Sequence, residues 1–139
     1  MDLSALFQSS SIAVVGASRD PNKVGHQIYK NLLANTSLTL YPVHSSAVKI
    51  LDKKAYPSLT SIQENIDLVI IAIPASAVET VVYECVAKKV KGVVIITAGF
   101  AEQGEQGKIV QMRIAETLQR TNIALLGPNT MGFIDPHRN

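Results

Sequence analysis

The stretch Ile12-Ala-Val-Val-Gly-Ala-Ser-Arg-Asp-Pro-Asn-Lys-Val-Gly25 reads as a short apolar strand, a turn opened by Gly16 and the start of a helix. Four consecutive apolar residues, Ile12 to Val15, suit a strand buried on both faces, the condition of an inner strand in a parallel sheet. Gly16 lets the backbone turn sharply and approach a ligand closely, Ser18 offers a hydroxyl, and Asp20-Pro21 sets up the helix N-terminus. Free N–H groups and the positive end of the helix dipole then converge near Arg19 and Lys23. The loop is therefore expected to cradle a phosphate, and a nucleotide-like ligand is the leading reading.

Strand, glycine turn and helix are shared by binders of NAD, FAD, CoA and phosphosugars. The dinucleotide fingerprint asks for G-x-G-x-x-G and for an acid after the second strand to take the ribose hydroxyls. Here Ser18 stands at the second glycine position, and no Asp or Glu occurs from Thr36 through Ile50. An NAD(P)-binding Rossmann domain stays as the weaker alternative.

Outward from this loop, strands and helices alternate without repeats or low-complexity linkers. Asp2 is placed to cap a short helix through Phe7, and a helix is expected over Lys23 to Ala34 with Val24, Ile28 and Leu32 facing a sheet. The second strand reads Leu38-Thr-Leu-Tyr-Pro-Val-His-Ser-Ser46. An excursion from Val48 to Tyr56 turns at Asp52-Lys53 and ends at Pro57. Asp67 to Ile73 is a buried strand stopped by Pro74, followed by a helix over Ser76 to Lys89. Gly92 to Thr97 is the next strand and Ala98 to Gly104 a loop. A helix over Glu105 to Arg120 turns Ile109, Met112 and Leu118 inward, and Ile123 to Leu126 is the last strand. The expected fold is α/β and Rossmann-like: a doubly wound, mainly parallel sheet with right-handed crossovers and helices on both faces.

Composition agrees with one domain over residues 1–139. A chain of 139 residues with 47% hydrophobic content, three Phe and no Trp has enough aliphatic material for one sheet core. A formal net charge of +2, with the charges scattered, argues against a nucleic-acid surface. The single cysteine, Cys85, rules out a disulfide framework within the chain and fits a cytoplasmic setting; it is read as core, on one helix face with Ala77, Val78, Val81 and Val82. The N-terminus lacks a signal peptide's basic start, and no apolar run approaches the ~20 residues of a membrane span.

In open parallel sheets the ligand lies beyond the carboxyl ends of the strands, where the strand order reverses. That rule selects Gly16 to Lys23, Pro42 to Ser46, Pro74 to Ser76 and Thr97 to Gly104. Pro42 and Pro74 suit contact with the flat face of a base. His44, Ser45, Ser46, Ser76 and Thr97 add neutral polar groups, fit to hold a ligand and poorly fitted to transform it. Gly99, Gly104 and Gly107 are expected to make the Thr97 to Gly107 region flexible, as an ordinary surface loop or, alternatively, as a flap that orders over the ligand. Metal chemistry is not expected, because one Cys and three distant His offer no ligand cluster. His26 is assigned to the exposed side of its helix, His44 to the ligand edge and His137 to an exposed tail; none has the neighbours of a catalytic triad.

Several blocks taken together resemble one family. Leu6 to Gly25, Tyr41-Pro-Val43, Lys54-Ala-Tyr-Pro-Ser58, Asp67 to Ala75, Thr97-Ala-Gly-Phe100 and Gly127-Pro-Asn-Thr-Met-Gly132 follow the order of the CoA-binding domain of NDP-forming acyl-CoA synthetases. These are relatives of the succinyl-CoA synthetase alpha subunit, and the same domain heads some fused protein lysine acetyltransferases. The resemblance covers essentially the whole chain. It implies that Gly16, Ala17, Ser18 and Lys23 hold the CoA pyrophosphate, with Arg19 close by. It places Pro42, Val43, Ile73 and Pro74 around the adenosine beside His44, and Thr97, Ala98, Gly99 and Asn129 toward the pantetheine.

Two departures stand out. The family often continues Tyr-Pro-Val with Asn-Pro-Lys, where this chain has His44-Ser45-Ser46, so the usual basic residue is replaced by Ser46; Lys49 or Arg19 are the candidate substitutes. The family also commonly carries Cys after Gly-Pro-Asn, where this chain has Thr130. In the synthetases an essential phosphohistidine and an ATP-grasp fold lie in further domains. The chain is thus expected to be the first domain of a longer acetate–CoA ligase or, alternatively, a regulatory domain of an acetyltransferase. By itself it is expected to be catalytically inactive, with ATP/ADP or GTP/GDP handled elsewhere. Gly16→Val is expected to abolish binding and leave the fold largely intact.

Overall fold

The computed structural model describes residues 3–132. A short helix, α1 (Ser4–Phe7), precedes β1 (Ser11–Val15), α2 (Val24–Leu33) and β2 (Thr39–Val43). A small hairpin of β3 (Lys49–Ile50) and β4 (Lys53–Lys54) leads to β5 (Leu68–Ile71) and α3 (Ala75–Ala87). The chain continues through β6 (Gly92–Ile95), α4 (Glu105–Gln119) and β7 (Ala124–Leu126). The main sheet has five strands in the order β2-β1-β5-β6-β7, every neighbouring pair parallel. This is the expected Rossmann-like α/β sheet. Its order reverses between β1 and β5, which sets the crevice beyond Val15 and Ile71.

Alternation along β1 explains the two layers. Ala13 and Val15 face a core built with α3, α4 and the 3-10 turn at Leu59–Ser61, while Ile12 and Val14 face the side carrying α1, α2 and the hairpin. All four are buried, as a strand covered on both faces requires. Pro42 is tolerated within β2 because β2 is an edge strand of this sheet. The Tyr56 N–H donates to the Pro42 carbonyl and the Tyr56 carbonyl accepts from His44 N–H, both at 2.9 Å, so this edge is partly covered.

Three helix faces differ from the periodicity reading. In α2 Ile28 and Leu32 pack against the core as expected, but the buried positions are Gly25, His26 and Tyr29, and Val24 is 58% exposed. The cause is close packing of Gly25 against the Gly16 carbonyl, which sets the helix rotation. In α4, Ile109 and Met112 are exposed and Ile114 and Leu118 are buried. There Gly107 packs against the Phe100 carbonyl, so Gly107 is a close-contact position within a helix and not a flexible loop residue. In α3 the buried set is Val78, Val81, Val82 and Cys85, and Ala77 is exposed. Burial pushes the Cys85 thiol up to about 12, which leaves it a core group.

Asp67 ties the sheet together at the end away from the crevice. Its carboxylate accepts from Ser10 N–H, Ser10 hydroxyl and Ser11 N–H at 3.0–3.1 Å and pairs with Lys91 Nζ at 2.7 Å. The Lys91 ammonium foremost, followed by the Ser10 and Ser11 donors, holds its carboxyl well below the usual carboxylate range. A carboxyl with a lowered folded-state pKa contributes stability above its unfolded value of about 4, and that contribution fades as pH falls below it. Asp67→Ala is therefore expected to cost about 2–3 kcal/mol near neutral pH. Urea unfolding at stepped pH should show variant and wild type converging as pH drops below about 4. A constant gap down to pH 2 would contradict this assignment.

Candidate binding site

Gly16 closes β1 at the point of strand reversal. Its N–H donates to the Val43 carbonyl at 3.0 Å, and Ala72 N–H donates to Val15 at 2.8 Å, which binds the ends of β2, β1 and β5 together. At φ +93° Gly16 occupies backbone space that side chains rarely enter, and a Cβ there would strike the Ala72 carbonyl oxygen. A Cβ on Gly25 would strike the Gly16 carbonyl oxygen in turn. The two glycines thus press the start of α2 directly onto the end of β1.

The start of α2 is left open. Its N-cap, Lys23, is extended and makes no side-chain cap, and the first turn holds no acid. The first N–H groups of a helix lack intrahelical acceptors, so this end keeps its donors and its positive dipole for a ligand. Asp20 was expected to help set up this end; instead it caps the preceding turn, its Oδ1 accepting from Asn22 N–H at 2.9 Å. His26 was assigned to the exposed side of α2. It is 6% exposed, because its Nδ1–H donates to the Ser18 carbonyl at 2.7 Å and holds the loop against the helix. Ser18 Oγ also accepts from Asp20 N–H at 3.0 Å.

Above these glycines lies a cavity of about 910 Å³. One wall is α3, whose N-cap Pro74 likewise makes no side-chain cap, and whose Ala77, Thr80, Val81 and Glu84 line the cavity along one stripe. The facing wall is Pro57, Ser58 and Leu59, positioned by the pairing of Tyr56 with β2. Lys54 Nζ lies 5.0 Å from the centroid of the Tyr56 ring, which stands edge-on to Tyr41. At the rim, His44 Nδ1 accepts from Ser46 N–H at 3.2 Å and Ala47 N–H at 3.1 Å. That leaves the proton of a neutral ring on Nε2. Ile96, Thr97 and Ala98 complete the lining, with the Thr97 hydroxyl donating to the Ile73 carbonyl at 2.6 Å.

The cavity brings together Gly16, Ser18, Lys23, Val43, His44, Ser45, Ile73, Pro74, Thr97 and Ala98 from the residues singled out by sequence. Ala17, Arg19, Pro42, Ser46, Ser76, Gly99 and Asn129 do not line it. Ala17 is fully buried beneath the loop, and Arg19 is exposed outside. Pro42 is buried one residue before Val43, and strand alternation turns it to the opposite face, next to Val14. Gly99 N–H donates to Glu102, whose carboxyl that bond lowers, and exposed Asn129 donates its N–H to the Thr97 carbonyl at 2.9 Å. His137 lies outside the described residues. No group of three His, Cys, Asp or Glu able to hold a metal ion occurs among the described residues. Nor is any helix among them long and apolar enough to cross a membrane.

Sequence reasoning missed the α3 stripe and the Pro57–Leu59 wall. The stripe was legible in principle, since positions 77, 80, 81 and 84 follow helical spacing and end in a charged residue. The second wall depends on the pairing of Tyr56 with β2, which no local pattern announces.

Comparison with known proteins gives a consistent result. A family described as CoA binding domain matches residues 10–136. The chain is 43% identical over 135 residues to an ADP-forming acetate–CoA ligase II of Archaeoglobus fulgidus, covering 96% of this chain and 20% of that protein. It is 40% identical over 137 residues to the alpha subunit of an ADP-forming acetate–CoA ligase II of Pyrococcus furiosus, covering 99% of this chain and 30% of that one. Among solved structures, a dinucleotide-forming acetyl-coenzyme A synthetase of Ca. Korarchaeum cryptofilum, in complex with phosphate and ADP, superposes with a TM-score of 0.88. The match has 35% identity and covers 96% of this chain and 28% of that one. The chain thus spans only a fifth to three-tenths of the length of these relatives.

Proposed function

The chain belongs to the CoA binding domain family, and from that premise we propose that it binds CoA or an acyl-CoA in the cavity above Gly16. It does so as the CoA-binding part of an ADP-forming acyl-CoA synthetase of the acetate–CoA ligase type. The observation that carries this reading is the uncapped start of α2, pressed by the Gly16–Gly25 contact onto the strand-reversal point and opening into a cavity large enough for a nucleotide. The pyrophosphate is assigned to the N–H groups of Val24 and Gly25 with Ser18 and Lys23. The adenosine is assigned to the side of Val43, His44, Ile73 and Pro74, and the pantetheine to that of Thr97 and Ala98. The ligase setting is preferred to an acetyltransferase one because the relatives compared above are ADP-forming ligases.

Within such a ligase this domain holds and orients CoA. Acid activation, the phosphohistidine and ATP/ADP or GTP/GDP are assigned to other parts of the enzyme. NAD is disfavoured by the absence of any acid from Thr36 through Ile50, which leaves no carboxylate beyond β2 for ribose hydroxyls. Calorimetric titration tests the reading: CoA or acetyl-CoA should bind more tightly than NAD or NADP, and tighter NAD binding would overturn it. Lys23→Ala should weaken CoA by about tenfold, the scale of one exposed charge-assisted hydrogen bond. Unchanged affinity would place the phosphates elsewhere.

A further inference from the structure

The cavity extends past its phosphate end to a charged group that the assignments above leave unused. Along α3, Ala77, Thr80, Val81 and Glu84 line the cavity, so this wall runs about 15 Å from Pro74 to Glu84 at the helical rise per residue. Glu84 is half-buried, and its Oε2 accepts from Leu59 N–H at 2.8 Å. A carboxylate has about four acceptor positions, and this contact uses one. The natural partner on the helix would be Lys88, one turn on. Instead, Lys88 Nζ donates to the carbonyls of Ile62 and Glu64 at 2.6 and 3.0 Å. Among the described residues no side chain donates to the Glu84 carboxylate; its neighbours along the cavity are the buried, apolar Leu59 and Val81 and the hydroxyl-bearing Ser58 and Thr80.

A half-buried carboxylate with one backbone donor and no side-chain donor offers its remaining acceptor positions to N–H groups of whatever fills the space. The same charge repels phosphate, and the uncapped end of α2 with Lys23 attracts it, so a ligand carrying both phosphates and a heterocycle has one favourable orientation. We infer that Glu84 is the specificity-determining acceptor for an aminopurine: with the ribose on the side of Val43, His44, Ile73 and Pro74, the ring runs along the α3 stripe over the Leu59–Glu84 contact, and its exocyclic amine donates to the Glu84 carboxylate. This inference rests on the CoA reading and extends it, assigning recognition of the base to a residue that the sequence blocks did not point to. A 6-oxopurine in that position would set a carbonyl oxygen against the carboxylate, an acceptor facing an acceptor.

The test titrates wild type and Glu84→Gln with CoA and with its deaminated analogue, in which hypoxanthine replaces adenine. Gln keeps an oxygen for Leu59 N–H and adds an amide donor, so the variant should fold, and matching circular dichroism would verify that. Wild type is expected to bind CoA at least about tenfold more tightly than the analogue, since hypoxanthine sets an oxygen against the carboxylate where adenine offers its amine, and its N1–H reaches Glu84 only if the ring shifts. Glu84→Gln should reduce that preference to within about threefold or reverse it, because with its oxygen on Leu59 N–H its amide donor faces the base. Equal affinity of wild type for both ligands, or a preference unchanged in Glu84→Gln, would overturn the inference and leave the CoA reading standing. Absence of CoA binding by wild type would overturn the CoA reading, and this inference with it.

Discussion

Ala77→Trp is expected to lower CoA affinity by about 100-fold or more while moving the melting temperature by only a few degrees. Ala77 is exposed, lines the cavity, and sits one turn into α3 between the end of β5 and Thr80. An indole at this position needs no space in the core, and the loss of helix propensity relative to Ala is only about 0.5 kcal/mol. It would fill the volume assigned to the nucleoside. Titration calorimetry and thermal unfolding of the same preparation separate the two effects. A stable Ala77→Trp protein with wild-type affinity would remove the ligand from this cavity.

Gly16→Val is expected to be the most destabilising single change at the site. The substitution places a β-branched residue at φ +93° and drives its Cβ into the backbone of Ala72. Steric strain of this kind costs several kcal/mol, against a total stability of about 5–15 kcal/mol for a native protein. Gly25→Ala should follow the same course, because its Cβ meets the Gly16 carbonyl. Gly104→Ala provides the control. Gly104 also has a positive φ of +105° but nothing within 4 Å, so no clash is added and the conformational strain of a glycine-only region, about 1–3 kcal/mol, remains. Urea midpoints should rank Gly104→Ala far above the other two, and a wild-type midpoint for Gly16→Val would contradict the described junction of β1 with β5. The expectation that Gly16→Val leaves the fold intact looked only at the ligand side of the turn. The opposite side is occupied by protein backbone.

That example shows where sequence reading reached and where it stopped. Strands such as Ile12 to Val15 were legible because burial on both faces leaves an unbroken apolar run. The crevice followed from the parallel order of those strands. Helix rotation was less legible, because α2 and α4 are set by backbone contacts at Gly25 and Gly107 and not by their largest apolar residues. Val24, Ile109 and Met112 consequently lie outside the core they were assigned to. His26 reads as a surface residue until the Ser18 carbonyl is brought beside it. Pro42 was placed at the ligand as the start of the loop beyond the second strand, yet it lies within β2, where adjacent residues face opposite ways. Glu84 was overlooked because its importance lies in a partner it does not take: only the turn of Lys88 toward Ile62 and Glu64 leaves the carboxylate open.

The central claim is that CoA binds with its phosphates at the start of α2, above the Gly16–Gly25 contact. Its most direct test is amide chemical-shift mapping of the 15N-labelled chain during titration with CoA. The largest changes are predicted at Gly16, Ser18, Val24 and Gly25, with smaller ones along Ala77 to Glu84 and at Pro57's neighbours Ser58 and Leu59. Saturating changes confined to the outer face of α4, around Ile109 and Met112, with the Gly16 and Gly25 amides unmoved, would contradict it.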